Sequence, residues 1–288
     1  MSTYAHSLAE IDTRSVAVIG AGTLGRRIAM MFATRGGMVR IYDRSADQRS
    51  AAVEFVNENI GDALDSIGKG RAGTVEAADD LADALRGAWL VVEAVPERLD
   101  IKIPLWGQID EAAEDDAIFT TNSSSYASST MIEKVTDPSR MCNMHFYMPP
   151  QSNAVDLMSD GYTSRDVLDT LLTVLPEFGI VPFEARKEST GFIFNRIWAA
   201  IKRESLEVVA EGVATPEDID EMFKVNWHLP FGPFAMMDSV GLDVVLDIEK
   251  HYAAENSSLP TGPRDVLEKY IADGRLGRKS GAGFYDYS

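Results

Sequence analysis

The stretch Val16-Ala-Val-Ile-Gly-Ala-Gly-Thr-Leu-Gly25 decides the fold. A short apolar run ends at Gly20, and three glycines then follow G-x-G-x-x-G spacing at the start of a segment with helical apolar spacing. In such a unit the glycines allow, in order, a tight turn, close approach of the backbone to a pyrophosphate, and close helix packing. The unpaired amides and positive dipole end of the helix attract anions. We therefore predict a dinucleotide-binding turn formed by Gly20, Gly22, Thr23, Leu24 and Gly25; the alternative is a glycine-rich turn without a ligand.

An acidic residue follows the next predicted strand. Asp43 comes directly after the apolar run 38–42, 18 residues beyond Gly25. A carboxylate there accepts both ribose hydroxyls of NAD and repels the 2′-phosphate of NADP. The sequence therefore favours NAD as the cofactor. Two alternatives stay open: the adjacent Arg44 can accommodate that phosphate, and Asp43 can be an ordinary turn residue.

The remaining pattern divides the chain into two parts. Short apolar runs at 15–19, 38–42, 89–93, 117–121, 141–145, 154–158 and 180–184 alternate with helical segments such as 46–67 and 99–113. Alternating strands and helices predict an α/β fold with a Rossmann-type, doubly wound parallel sheet. From 191 onward only helical patterns follow, at 191–211, from Thr215, at 236–249 and at 263–272. We therefore predict a Rossmann domain over 1–188 and an all-helical C-terminal domain over 189–288.

Composition narrows the possible partners and surroundings. The 27 basic and 45 acidic residues give a net charge of −18, which repels nucleic acid and anionic membranes. No run of about 18 apolar residues suggests a membrane span, and residues 1–14 are not typical of a leader peptide. Cys142 is the single cysteine, so no disulfide can form within the chain. We expect a cytoplasmic protein with a small-molecule substrate, no nucleic-acid or membrane partner and no metal.

One of the four histidines stands at a functional position. His145 ends an apolar strand and is followed by the turn sequence Phe-Tyr-Met-Pro-Pro150. In doubly wound sheets the carboxyl ends of strands face the ligand crevice. Oxidation of an alcohol next to a nicotinamide needs a base for the hydroxyl proton, a role that histidine often fills. His145 is therefore our candidate base, with a purely structural histidine as the alternative.

At this point the residues resemble the L-3-hydroxyacyl-CoA dehydrogenase family over nearly the whole chain. The resemblance rests on motifs in the family's order: the Gly20–Gly25 turn, Val91-Val-Glu-Ala-Val-Pro-Glu97, Thr121-Asn-Ser-Ser-Ser125, Met144-His-Phe-Tyr147, Gly191-Phe-Ile-Phe-Asn-Arg196, Gly232-Pro-Phe234 and Gly277-Arg-Lys-Ser-Gly-Ala-Gly-Phe-Tyr285. It implies a substrate-binding and dimerisation role for the helical domain, and a homodimer.

The resemblance also implies roles for individual residues. The catalytic histidine falls on His145, its partner carboxylate on Asp156 if one residue is deleted between them, and the substrate-contacting Ser and Asn on Ser124 and Asn195. The cofactor contacts fall on Asp43, Glu97, Lys102, Asn122 and Lys279. Simpler interpretations remain for several. The segment 122–125 can cap a helix, Asp156 and Asn195 can face solvent, Lys102 can pair with Glu97 on a helix surface, and Lys279 can be a tail charge.

The chain departs from the family at three places. Where the family usually reads Phe-Phe-Asn-Pro after the histidine, this chain reads Phe146-Tyr-Met-Pro149, and Met148 cannot donate the hydrogen bond of the family Asn. Asp156 replaces a Glu and is one methylene shorter. The stretch 46–89, which carries CoA contacts in acyl-CoA-using relatives, is shorter and has only Lys69 and Arg71 as cations in its central part.

These observations lead to three functional hypotheses. The first is an NAD-dependent oxidoreductase that interconverts a 3-hydroxyacyl-CoA, or a related 3-hydroxy acid, and its 3-keto form. The second is a dehydrogenase of a free hydroxy acid of the L-gulonate or carnitine type that does not use CoA; the short stretch and Met148 favour it. The third is a non-catalytic NAD-binding protein.

Overall fold

The computed structural model describes residues 4–287. The chain forms two compact units, one ending at Ile193 and the other beginning at Phe194. Our predicted boundary near residue 188 falls inside the first unit, shortly before this division. Each unit has its own hydrophobic core.

The first unit contains one eight-stranded sheet. Its strands are β1 (Ser15–Ile19), β2 (Met38–Tyr42), β3 (Thr74–Ala77), β4 (Ala88–Glu93), β5 (Ile118–Thr121), β6 (Met141–Met148), β7 (Ser152–Ser159) and β8 (Val181–Ala185). They lie in the order β3-β2-β1-β4-β5-β6-β7-β8. Every neighbouring pair is parallel except the antiparallel pair β6–β7. The reversal of strand order at β1 and β4 is that of a doubly wound sheet, and the predicted fold class is confirmed.

Helices cover both faces of this sheet. The first unit has α1 (Leu8–Ile11), α2 (Thr23–Ala33), α3 (Ala46–Ile67), α4 (Leu81–Leu85), α5 (Leu99–Ala112) and α6 (Arg165–Val174), with short 3-10 turns at Ser128–Thr130, Ile132–Lys134, Pro138–Arg140 and Leu175–Phe178. One core lies under α2 and α6, where Phe32 packs edge-on against Phe146 and Phe178. The other core lies under α4 and α5, around Trp106 and Phe119. Burial on both faces explains the apolar sequence of β1 after Ser15 and of β4 before Glu93.

The second unit is helical, as predicted. Its helices are α7 (Phe194–Ala210), α8 (Pro216–Trp227), α9 (Pro233–Val240), α10 (Leu242–Glu255) and α11 (Gly262–Ala272), followed by a 3-10 turn at Arg278–Ser280. The predicted start of α8 is correct, since Thr215 and Asp218 form a reciprocal capping box. The single helix predicted over 236–249 is wrong. Gly241 has φ +106, which ends α9 and turns the chain into α10.

The long helix predicted from residue 191 also begins later than expected. Gly191 and Phe192 have φ +75 and +53, in the left-handed region, so α7 starts only at Phe194. No helix of residues 4–287 is long and apolar enough to cross a membrane. The described residues contain no cluster of three or more His, Cys, Asp or Glu arranged to hold a metal ion.

Candidate active site

The glycine turn between β1 and α2 has the geometry of a dinucleotide cradle. Gly20 has φ +113, and a side chain there would meet the Ala94 carbonyl oxygen at 2.5 Å. A Cβ at Gly25 would overlap the carbonyl oxygen of Gly20, whereas a Cβ at Gly22 would meet nothing within 4 Å. Gly22 is the N-cap of α2, and no side chain caps that helix. The first and third glycines thus allow close packing, and the second opens the helix start to an anion.

Asp43 lies beside this turn. Its Oδ2 accepts a hydrogen bond from the backbone amide of Ala21 at 3.0 Å, and its Oδ1 accepts one from the amide of Ser45. The carboxylate is therefore fixed at the carboxyl end of β2, next to the glycines. The open Gly22, the uncapped helix and this placed carboxylate fit a dinucleotide with free ribose hydroxyls.

A buried ion pair lies where β4 ends. Lys102 of α5 places Nζ 2.7 Å from Oε1 of Glu93, and both side chains are at most 1% exposed. Glu93 also accepts hydrogen bonds from the Thr121 hydroxyl and the Val95 amide, at 2.7 and 2.8 Å. The alternative that Lys102 pairs with Glu97 on a helix surface is correct in the partner but wrong in the location. Oε2 of Glu97 lies 3.3 Å from Nζ, but Lys102 is in the interior.

Glu97 extends this network toward the loop after β5. Its Oε1 accepts hydrogen bonds from the Ser123 hydroxyl at 2.5 Å and the Ser125 amide at 2.8 Å. Burial acts to raise the pKa of Glu97, but the Ser123 hydrogen bond, the Lys102 charge and the Ser125 amide together lower it below its ordinary value. Glu97 is thus a fixed anion. Lys102 has almost no surface of its own, so its predicted cofactor contact stays a prediction.

The loop after β5 braces the strand that carries the candidate base. The side-chain Oδ1 of Asn122 accepts a hydrogen bond from the backbone amide of Phe146 at 2.8 Å. The backbone amide of Asn122 donates to the carbonyl oxygen of Glu93. Ser124, two residues later, is exposed. Within residues 4–287 its hydroxyl has no hydrogen-bond partner. Asn122 therefore fixes the backbone beside His145, and Ser124 presents a hydroxyl to solvent.

His145 and Asp156 are cross-strand partners in the antiparallel pair β6–β7. Nδ1 of His145 lies 3.5 Å from Oδ2 of Asp156, and the two side chains are 7% and 3% exposed. This spacing is an ion-pair distance just outside hydrogen-bond range, and Nδ1 has no hydrogen-bond partner in the described residues. The predicted pair is brought together on one face of the sheet, because directly opposite residues share a face. Asp156 does not face solvent.

Two aromatic residues that the sequence reasoning did not select also contact this pair. Phe192 stacks on the His145 ring with centroids 4.8 Å apart and an interplanar angle of 12°. Tyr147 meets the same ring edge-on at 4.8 Å, and its hydroxyl donates to Oδ2 of Asp156 at 2.5 Å. Tyr147 lies two residues after His145 on one strand, and residues at this spacing point to the same face of a sheet. That spacing could have predicted the contact between Tyr147 and His145.

Met148 lies at the outer end of β6, opposite Ser152, and is 44% exposed. Its thioether cannot replace the donor amide of the family Asn. The carbonyl oxygen of Pro149, next in the chain, accepts a hydrogen bond from Arg27 of α2 at 3.0 Å. The turn between β6 and β7 is therefore tied to the helix that follows the glycine turn.

Two predicted site residues belong to the second unit. Asn195 lies in the first turn of α7 and is partly buried. Lys279 pairs with Asp243, with Nζ 2.6 Å from Oδ2 and both side chains nearly half exposed. The exposed pair with Asp243 agrees with Lys279 as a tail charge, while its cofactor contact and the role of Asn195 stay predictions.

The arrangement in the first unit suits transfer of a proton next to a bound dinucleotide. A nearly buried imidazole faces a carboxylate through Nδ1, which leaves Nε2 as the nitrogen for an external partner. His145 lies on β6, the neighbour of β5 in the sheet. The next residue, Phe146, is hydrogen-bonded to Asn122 in the loop after β5. A carboxylate next to a histidine stabilises the charge that the ring gains as a base.

The chain matches two family descriptions that together cover nearly its whole length. Residues 15–189 match "3-hydroxyacyl-CoA dehydrogenase, NAD binding domain", and residues 191–287 match "3-hydroxyacyl-CoA dehydrogenase, C-terminal domain".

Individual relatives are similar over almost their full length. The 5-formyl-3-hydroxy-2-methylpyridine 4-carboxylate 5-dehydrogenase of Mesorhizobium japonicum is 32% identical, over 96% of this chain and 91% of that protein. The 3-hydroxybutyryl-CoA dehydrogenase of Clostridioides difficile is also 32% identical, over 95% and 99%. The solved structure of a diketoreductase that acts on dicarbonyl compounds superposes with a TM-score of 0.83 at 29% identity, covering 95% and 99% of the two chains.

Proposed function

The chain belongs to the 3-hydroxyacyl-CoA dehydrogenase family, and we propose from this premise that it interconverts a 3-hydroxyacyl thioester and its 3-keto form with NAD. The family resemblance and the NAD cofactor predicted from the motifs are confirmed. The observation that carries the proposal is the pairing of His145 with Asp156 on adjacent strands, in the same sheet as a glycine turn open to a dinucleotide.

His145 acts as the base in the direction of oxidation. Its Nε2 takes the proton of the substrate hydroxyl, and Asp156 stabilises the positive charge that the ring then carries. In reduction the same ring returns the proton to the alkoxide oxygen. The stacked Phe192 and the edge-on Tyr147 hold the ring plane during both steps.

The remaining predicted residues bind NAD and orient the substrate. Bound NAD supplies the site that accepts or gives the hydride. Gly20, Gly22, Thr23, Leu24, Gly25 and Asp43 hold it by backbone amides and one carboxylate, with Glu97, Lys102, Asn122 and Lys279 as further contacts. Ser124 and Asn195 donate hydrogen bonds to substrate oxygens; the exposed, unbonded hydroxyl of Ser124 supports this role.

The decisive experiment replaces the base. We expect His145→Ala to lower kcat by about two to four orders of magnitude for acetoacetyl-CoA reduction, while the Kd for NADH stays within about twofold. His251→Gln is the matched control, because His251 is half exposed and pairs only with Glu255 on its own helix among its described ion pairs. Near-normal turnover by His145→Ala would exclude the assigned role.

A second candidate substrate, a carbonyl compound without CoA, is supported by the charge of α3. That helix exposes five acidic side chains, and its single cation, Arg49, donates to the Asp43 carbonyl oxygen. Lys69, just beyond it, lies 3.7 Å from Glu177. The acidic side chains of α3 are Asp47, Glu54, Glu58, Asp62 and Asp65. Such a surface repels the phosphates of CoA, and two similar proteins, the Mesorhizobium japonicum dehydrogenase and the diketoreductase, are named for compounds without CoA.

The two candidates separate in a direct comparison of substrates. NADH consumption is measured with acetoacetyl-CoA, acetoacetyl-pantetheine and free acetoacetate. A CoA enzyme gives the highest kcat/KM with the first, by at least about tenfold over the second, since the ADP part adds binding energy. Equal or higher kcat/KM for the compounds without ADP would favour the second candidate.

We also propose a homodimer formed through the helical unit and a cytoplasmic location. The dimer is supported by apolar side chains that α8 and the turn after it expose, namely Met222, Val225, Trp227, Leu229 and Phe231. Val225→Asp should halve the mass measured by sedimentation equilibrium, whereas Tyr162→Asp, an exposed position of the first unit, should not. A monomeric parent protein would contradict this proposal. The buried single cysteine fits a reducing compartment.

A further inference from the structure

We infer that Tyr147 is a positioning residue of proton transfer, which shares the Asp156 carboxylate with His145 and so sets the strength of the His–Asp interaction. The inference rests on the proposed role of His145. It concerns a hydroxyl that the family motif Phe-Phe-Asn-Pro does not supply, because Tyr147 stands at the second Phe of that motif.

Both donors face one oxygen atom. The Tyr147 hydroxyl donates to Oδ2 of Asp156 at 2.5 Å, and Nδ1 of His145 lies 3.5 Å from the same oxygen. A hydroxyl-to-carboxylate hydrogen bond of this length is charge-assisted and strong. It withdraws negative charge from the oxygen that would otherwise interact most closely with the histidine. Tyr147 and His145 therefore compete for Asp156.

The shorter carboxylate makes this competition effective. Asp156 is one methylene shorter than the family Glu, and its oxygen stops beyond hydrogen-bond range of Nδ1. The carboxylate, only 3% exposed, is instead satisfied by the phenol. A buried carboxylate needs hydrogen-bond donors to offset the loss of its hydration. Tyr147 thus orients the Asp156 carboxylate and weakens the interaction of that carboxylate with His145.

The hydroxyl and the ring of Tyr147 have separable effects. The ring packs edge-on against His145 at 4.8 Å, and Phe192 stacks on His145 from the segment before α7. Phenylalanine at position 147 keeps the ring contact and removes the hydroxyl that donates to Asp156. Among the described contacts of His145, the titratable side chains are Asp156 of β7 and Tyr147 of its own strand, since Phe192 does not titrate.

The test is Tyr147→Phe, read by the pH dependence of kcat/KM for 3-hydroxyacyl oxidation. Without its phenol donor, Asp156 favours the protonated ring more strongly, and the base is active only when unprotonated. We expect the acidic limb of the profile to move to higher pH by about half to one pH unit. The Kd for NADH should stay within about twofold. Tyr162→Phe, an exposed tyrosine, should leave the profile unchanged.

A double variant distinguishes the hydrogen bond from a general packing effect. In an Asp156→Asn background the carboxylate charge is gone, so Tyr147→Phe should add no further movement of the profile. An equal movement in both backgrounds, a profile that coincides with the parent, or a movement to lower pH would each overturn the inference.

The effect of the same substitutions on His145 can also be measured without enzymatic turnover. The ring carbons of the four histidines, labelled with ¹³C, are followed by NMR as the pH is changed, and His145→Ala identifies the signal of His145. The His145 midpoint should rise in Tyr147→Phe even if no acyl substrate is turned over. Failure of the proposed substrate and failure of the Tyr147 inference therefore give different results.

Discussion

The ammonium group of Lys102 lies 2.7 Å from a carboxylate oxygen of Glu93, and both side chains are almost completely buried. Removing one partner leaves the other charged in the interior. We expect Lys102→Met to lower the free energy of unfolding by about 3–5 kcal/mol. The measurement is urea denaturation followed by the fluorescence of the buried Trp89 and Trp106.

A paired replacement provides the control for this ion pair. Glu93→Gln together with Lys102→Met removes both charges, so it should cost less than Lys102→Met alone. A single variant within about 1 kcal/mol of the parent would show that Glu93 is stabilised mainly by Thr121 and the Val95 amide.

The glycine turn offers two substitutions with opposite outcomes. Gly25→Ala places a methyl against the Gly20 carbonyl oxygen and should destabilise the protein by about 1–3 kcal/mol. Gly22→Ala meets no protein atom within 4 Å, so the fold should be kept. We expect the added methyl to obstruct the approach of the pyrophosphate to the backbone, so the Kd for NADH should rise about tenfold or more. Thermal melting and NADH fluorescence titration measure the two effects; unchanged NADH binding by Gly22→Ala would contradict the cradle.

Asp43 should determine the choice between the two nicotinamide cofactors. Asp43→Asn retains an oxygen that can accept from the Ala21 amide but removes the charge. We expect NADH to bind about tenfold more weakly and NADPH more tightly, because the repulsion of the 2′-phosphate is lost. Titration of each variant with both nucleotides checks this. If Arg44→Ala in the parent reduced NADPH binding strongly while Asp43→Asn changed nothing, the interpretation of Asp43 would be wrong.

Lys202 gives the helical unit a pH-dependent stability. Burial, with a smaller effect of Arg203, lowers the pKa of Lys202 to about 8, although Glu249 opposes the change. Below pH 8 both folded and unfolded chains carry the charge, and its burial destabilises the fold fully. Between about 8 and 10.5 the folded state loses this proton first, so stability rises with pH.

Lys202→Met should therefore stabilise the protein by about 2–3 kcal/mol at pH 7, with a gain that diminishes toward pH 10.5. Thermal denaturation at several pH values measures the difference. Lys224→Met, at a side chain that is 43% exposed, is the control and should show no such pH trend. A constant difference across this pH range would refute the assignment to Lys202.

Local pattern predicted most of the first unit, because strand, turn and helix there are each determined by neighbouring residues. The helix predicted over 46–67 is the observed α3. Strand β3 was missed, since only Val75 of its four residues is buried and no apolar run marks it. The break at Gly241 was missed because a single glycine within a helical pattern does not reveal its φ.

The sequence singled out the candidate site residues but not the contacts among them. His145 and Asp156 came from the end of a strand and from a family motif, yet their opposition depends on the register across the turn at 149–151. The bond from Tyr147 to Asp156 depends on the same register, which sequence spacing does not specify. The interior position of Lys102 depends on how α5 packs beneath β4, and its charge alone suggested a surface residue.

The antiparallel partnership of β6 with β7 also restricts how this protein can diverge. In a strand, successive side chains alternate between faces, so a shift of the β7 pairing by a single residue would carry Asp156 to the far side of the sheet. Insertions or deletions in the hairpin are therefore tolerated only when the change in length is absorbed within the turn. The irregular pairing between Phe146 and Met148 lies on the turn side of His145, so a change of length there would leave the His145–Asp156 register unaltered.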